Sequence, residues 1–134
     1  IRLKKRAPTK PRHVKVSPDG KLVYVTAQAV GFLYALDAAT MEILGKARTG
    51  SGPNTVDVTS DGLWAFTANF TGDSITAINL STFESRNVHE PVVREPCGLA
   101  VSPDDRKLYV TGWHATLLGE YEITYPSQEP HLDE

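Results

Sequence analysis

Residues 17–28 read SPDGKLVYVTAQ and residues 102–113 read SPDDRKLYVTGW, so the chain repeats itself. A repeat at a fixed period restricts the fold more than any composition does, because each copy must form the same small unit and stack on its neighbours. Laid over one another without gaps, PRHVKVSPDGKLVYVTA from Pro11, PNTVDVTSDGLWAFTAN from Pro53 and PCGLAVSPDDRKLYVTG from Pro96 give three copies at offsets of 42 and 43 residues. The matched columns include the three prolines, Val14/Val56/Leu99, Val16/Val58/Val101, Asp19/Asp61/Asp104 and Tyr24/Phe66/Tyr109.

Within a copy, short β-branched or apolar runs alternate with turn residues: Val14 to Val16, Leu22 to Thr26, Phe32 to Leu36 and Ile43 to Arg48. This is strand after strand, with no sustained helical period. Pro18-Asp19-Gly20 is a turn with a mechanism: Pro presets φ, Asp bonds the backbone two residues on, and Gly accepts positive φ. Asp37 to Thr40 and Asn79 to Thr82 form the next turn by the same side-chain bonding. Four strands per roughly 42 residues read as a propeller blade. The fold class expected is therefore all-β, with four-stranded antiparallel blades and three blade equivalents.

LVYVTA, LWAFTAN and KLYVTG, each preceded by P-x-x-[VL]-x-V-[ST]-x-D, resemble the YVTN repeats of β-propeller proteins. The resemblance runs from Ile1 to about Ile123 and implies the propeller fold. It also implies a periplasmic or secreted location. Its functional content is broad, since related repeats occur in surface proteins, lactone-handling enzymes and redox enzymes.

The expected organisation is blade 1 over residues 11–52, blade 2 over 53–95 and blade 3 over 96–123. Residues 1–10 align on 43–52 and read as an outer strand, completing a blade in trans or belonging to a preceding blade. Residues 124–134 read as an acidic tail with two prolines and no alternation, leaving blade 3 without its outer strand. A ring needs typically about four to eight blades. Three blades then close either as a homodimeric six-bladed ring or with further blades of a longer polypeptide. In the first case Lys4 and Lys5 lie beside Glu120 and Glu122. The open faces are expected to carry Trp64, Phe66, Val23 and Val25.

The loops before each first strand and after each second strand share one end of the blades. That loop face collects the columns Arg12/Asn54/Cys97, His13/Thr55/Gly98 and Gln28/Phe70/Trp113, with Asn69 and His114 beside them. These residues make the expected surface for a protein or small-molecule ligand. His13 and His114 are weighed as metal or haem ligands against solvated loop histidines, and no His, Asp or Glu pair has a recognised metal spacing. Cys97 reads as a small buried hydrophobe or as a thiolate near Arg94 or Arg12. Phe70, Trp113 and Phe32 read as an aromatic lip or as ordinary packing over the next blade. Asn69-Phe-Thr71 and Asn79-Leu-Ser81 match the N-glycosylation pattern.

A formal charge of −2 gives no pull toward nucleic acid. The basic start lacks the interleaved aromatics of a nucleic-acid surface. No apolar run approaches the ~18 residues of a membrane-spanning helix. The single cysteine excludes an intrachain disulfide and a CxxC pair. No Walker, Rossmann or Ser-His-Asp motif occurs, and the residues specify no cofactor. The reading is a non-catalytic binding or scaffold propeller, with a propeller part of a redox enzyme (haem or quinone at the channel mouth) or of a lactone-handling hydrolase or lyase as the alternative.

Overall fold

The computed structural model describes residues 10–89, 93–125 and, for the backbone, 131–133. Three four-stranded antiparallel sheets follow one another along the chain. Blade 1 contains β1 (Pro11–Val16), β2 (Leu22–Ala27), β3 (Phe32–Asp37) and β4 (Ile43–Arg48). Blade 2 contains β5 (Pro53–Val58), β6 (Trp64–Asn69), β7 (Ser74–Asn79) and β8 (Ser85–Val88). Blade 3 contains β9 (Pro96–Val101), β10 (Lys107–Gly112), β11 (Gly119–Thr124) and β12 (His131–Asp133).

The turns form for the reasons their residues supply. Asp19 Oδ1 accepts from the Ser17 hydroxyl at 2.6 Å and from the Lys21 N–H at 3.0 Å, while Gly20 takes φ 75°. Asp61 and Asp104 repeat the arrangement with Thr59 and Ser102. Blade 3 differs at one position, where Asp105 holds the left-handed conformation, φ 61°, that glycine takes in the other two blades. Asp37 and Asn79 cap the following turns, accepting from Ala39 and Thr40 and from Ser81 and Thr82.

Alternation along each strand gives a blade two faces. The forward face of blade 1, with Leu22, Tyr24, Leu33, Ala35 and Ala47, packs on Val56, Val58, Ala65 and Ile78 of blade 2. The forward face of blade 2, with Trp64, Phe66, Ile75 and Ala77, packs on Leu99, Val101, Leu108 and Tyr121 of blade 3. The columns are the same in both junctions, which is why the repeat stacks.

Two expectations need correction. Phe66 lies on no open face: it is 0% exposed between blades 2 and 3, and Trp64 is packed beside it. The segment after β11 does carry a strand, since β12 pairs with Glu122, Ile123 and Thr124. Its three residues fall beyond two prolines and have no length over which to show a period. β12 also sits in a different register from β4 and β8, which pair with Phe32–Leu36 and Ile75–Ile78; their counterpart in β11 ends at Tyr121. Glu120 is bonded within blade 3 by Lys107 Nζ at 2.7 Å, and Lys4 and Lys5, expected beside it in a two-chain ring, lie outside the described residues. The outer strand read from residues 1–10 lies outside the described residues except for Lys10.

Candidate functional site

The innermost strands β1, β5 and β9 lie side by side, and their side chains join one blade to the next. Arg12 Nε donates to Asn54 Oδ1 at 2.7 Å, and Asn54 Nδ2 donates to the Cys97 carbonyl at 3.4 Å. One column of the repeat is thus a hydrogen-bonded file across all three blades. His13 Nδ1 accepts from the Val56 N–H at 3.3 Å, which leaves Nε2 to carry the proton of the neutral ring. Thr55 Oγ1, in the same column, is buried with no hydrogen-bond partner among the described residues. Cys97 is a free, half-buried thiol whose Sγ lies 4.0 Å from Thr111 Oγ1.

Sequence reasoning missed Asp57, although the signal was present: Lys15 and Asp57 occupy one column with opposite charge in consecutive blades. The structure pairs them at 3.1 Å, and Asp57 Oδ2 also accepts from the Val101 N–H at 2.8 Å. Asp57 therefore touches all three inner strands.

The loop ends are drawn together as the strand order requires. The Phe70 N–H donates to the Gly52 carbonyl, the Gly72 N–H to Ser51 and the Trp113 N–H to Glu95. A cleft of about 290 Å³ opens here between Gln28–Gly31 and Arg48–Gly52. Gln28 lines it; Phe70 is half-buried outside it. Trp113 is 68% exposed and meets His114 edge-on at 6.2 Å between centroids. His114 Nδ1 lies 3.1 Å from Glu95 Oε1, a partner the sequence did not suggest.

Two expectations fail here for geometric reasons. Asn69 is not on the loop surface: it is 0% exposed, accepting from Thr67 Oγ1 at 3.0 Å and donating to Ser74 at 2.9 Å and Thr76 at 2.8 Å. Its position at the end of β6 points it under the linker from blade 1, so it is inaccessible to a glycan. Phe32 joins no lip with Phe70 and Trp113. Its ring lies on the rear face of blade 1, with Tyr34 at 6.1 Å and with Lys46 and Arg48 at 4.7 and 4.6 Å from its centroid.

A second cleft, about 550 Å³, opens at the opposite end between the Ser17–Asp19 and Ser60–Leu63 turns. The Ser17 hydroxyl and the Lys21 N–H hold the Asp19 carboxyl below the usual carboxylate range. Both carboxylates at its rim, Asp19 and Asp61, are occupied by their own turns. Among the described residues no three His, Cys, Asp or Glu side chains converge as a metal site.

The chain has the β-propeller fold. Its backbone is similar to the hydrazine synthase of Kuenenia stuttgartiensis, with TM-score 0.79, 23% identity, and coverage of 98% of this chain and 37% of that one. It is similar to a functionally unknown protein of Desulfotomaculum acetoxidans DSM 771, with TM-score 0.80, 18% identity and coverage of 96% and 42%. It is similar also to the Cps50 (Swd1) β-propeller domain of Myceliophteria thermophila, with TM-score 0.77, 16% identity and coverage of 94% and 40%. The chain spans about two-fifths of the length of these proteins. No protein-family model and no curated protein matches it. At these identities the likeness carries the fold, and the proteins sharing it differ in what they do.

Proposed function

We propose that the chain is a non-catalytic binding or scaffold segment of a β-propeller, presenting its loop face to a protein or small ligand. One observation carries this reading: Arg12, Asn54 and the Cys97 carbonyl are hydrogen-bonded in a file across the three inner strands at the loop end, and His13 Nδ1 accepts from the Val56 N–H, so these side chains brace the face from which the remaining polar groups meet a ligand. A catalytic group needs a free lone pair or proton aimed at a reacting atom. A side chain bonded across blades contributes rigidity instead, which a recognition surface requires.

The finer assignment to YVTN-type repeats, and with it a periplasmic or secreted location, belongs to the same proposal and rests on the LVYVTA, LWAFTAN and KLYVTG resemblance. The second reading, a propeller part of a redox enzyme, draws on the likeness to a hydrazine synthase over nearly the whole of this chain. One experiment separates them: absorption spectroscopy and native mass spectrometry of the protein purified from its source. The binding reading expects no stoichiometric chromophore, and Arg12→Ala to lower thermal stability by removing the bond to Asn54. One equivalent of haem, quinone or metal per chain would overturn it.

A further inference from the structure

At the end opposite the loop face, the second junction is filled. Trp64 meets Tyr125 at 6.3 Å between ring centroids, and Asp105 bridges the blades by accepting from the Ser60 hydroxyl at 2.6 Å. In the first junction Leu22 stands in the column of Trp64, Gly62 in that of Asp105 and Pro18 in that of Ser60, so neither the bulk nor the bridge can form. The space left is the cleft of about 550 Å³, within the ~300–1,000 Å³ of small-molecule sites.

Tyr24 is the most deeply buried residue lining it, 2% exposed, and its hydroxyl makes no hydrogen bond among the described residues. Among those residues the one side-chain oxygen both sealed from solvent and without a partner is Thr55 Oγ1, so the Tyr24 hydroxyl opens into the cleft. Packing does not require that oxygen, since Phe66 fills the same column in the second junction at 0% exposure. Burial and the Asp19 charge push the Tyr24 pKa up, so the phenol stays neutral and can donate or accept. At the rim, Asp19 and Asp61 each spend Oδ1 on their own turns, and Oδ2 of each accepts nothing among the described residues. No cationic residue lines the cleft; Lys21, outside the lining, acts on Asp19 more weakly than the turn's hydrogen bonds do.

We propose that this cleft binds a small organic cation: a primary amine whose ammonium faces Asp19 and Asp61, whose apolar body lies against Pro18, Leu22 and Leu63, and whose far end hydrogen-bonds the Tyr24 hydroxyl. The two carboxylates exclude an anion of the same shape. The site lies at the other end of the blades from the loop face, so it stands or falls separately from the function proposed above.

Three probes test it: tyramine, phenethylamine, which lacks the distal hydroxyl, and hydrocinnamate, which carries a carboxylate in place of the ammonium. In heteronuclear NMR titrations tyramine should shift Leu22, Tyr24 and Leu63 with a Kd on the order of 1 mM or below. Phenethylamine should bind about threefold to tenfold more weakly, the worth of one hydrogen bond. Tyr24→Phe should erase that difference while keeping the urea midpoint, because its column already accepts Phe in blade 2. Leu22→Trp, with its fold checked by circular dichroism, should fill the cleft as Trp64 fills the second junction and abolish tyramine binding. The inference is overturned by tyramine leaving these resonances unmoved, by hydrocinnamate binding as tightly, or by Tyr24→Phe keeping the advantage of tyramine over phenethylamine.

Discussion

The junction between blades 1 and 2 and the junction between blades 2 and 3 use the same apolar columns, yet they are sealed differently at the loop end. In the first, Asn69, Thr67, Ser74 and Thr76 form a buried hydrogen-bonded group that continues to Asn87, and the linker from blade 1 donates its Gly50 N–H to Thr76 at 3.0 Å. A Cβ on Gly50 would come within 2.5 Å of Ser74 Oγ, so glycine is needed for the linker to close over the group. In the second, the counterparts of Thr67, Asn69, Ser74 and Thr76 are Val110, Gly112, Leu117 and Gly119. There Val93 packs against the apolar cluster and the Arg94 carbonyl lies over Gly112. At the opposite end the order reverses. Asp105 takes the Ser60 N–H at 2.8 Å and hydroxyl at 2.6 Å across the second junction, where the first has only Gly62 facing Pro18. The apolar columns are common to both junctions; the polar sets belong to one junction each.

The largest expected effect contrasts one column in two settings. Phe66→Ala, inside the second junction, should cost about 3–5 kcal/mol. Tyr109→Ala, the same column on the forward face of blade 3, should cost less than about 1 kcal/mol because its neighbours already meet water. Urea midpoints at constant slope measure both, and equal losses would mean that this face is covered in the folded protein. Next comes the polar seal: Asn69→Ala strands the partners of a fully buried amide and should cost about 1–3 kcal/mol. Gly50→Ala should lose stability through the same contact, and a neutral result for both would dissolve the distinction between the junctions. Smaller still, Asp105→Gly gives up the Ser60 bonds but relieves the left-handed backbone, so chemical denaturation should register a net change within about 1 kcal/mol.

The smallest effects are in the pH dependence. Asp19 and Asp104 are held below the ordinary value of 3.8 chiefly by the hydroxyls of Ser17 and Ser102. Their contribution is therefore complete above that value and is lost as pH falls through the lower folded values. Tyr125 works in the other direction. Burial, aided by Asp105 and Asp61, pushes its hydroxyl from 10.0 up to about 12, and it donates to the Asp105 carbonyl at 2.8 Å. Above pH 10 the unfolded chain ionises first, so stability falls as pH rises toward 12. Thermal melts of Tyr125→Phe should lose part of this alkaline slope and none of the acid one.

The repeat made the blades, their turns and their alternating faces legible, because each is a local consequence of residue type at short spacing. Lys15 and Asp57 were legible in principle, as opposite charges in one column. Asn69 was not: as the last residue of a strand it reads as surface, and only the linker crossing above it turns the position into a buried one. β12 was hidden for a different reason. A three-residue strand after two prolines gets its pairing from the edge of β11, and nothing in its own sequence announces that.

By itself the sequence determined that this chain forms stacked four-stranded blades, since a period of 42 or 43 residues with Asp-anchored turns allows no other regular unit. Tertiary structure alone decided which polar groups are spent and which are open to a partner. Arg12 and Asn54 are 42 residues apart, Asn54 and Cys97 are 43 apart, and Ser60 and Asp105 are 45 apart. Hydrogen bonds need atoms within about 3.5 Å in a set direction. Strand stacking at one particular twist brings those atoms together, and no spacing along the chain encodes that angle.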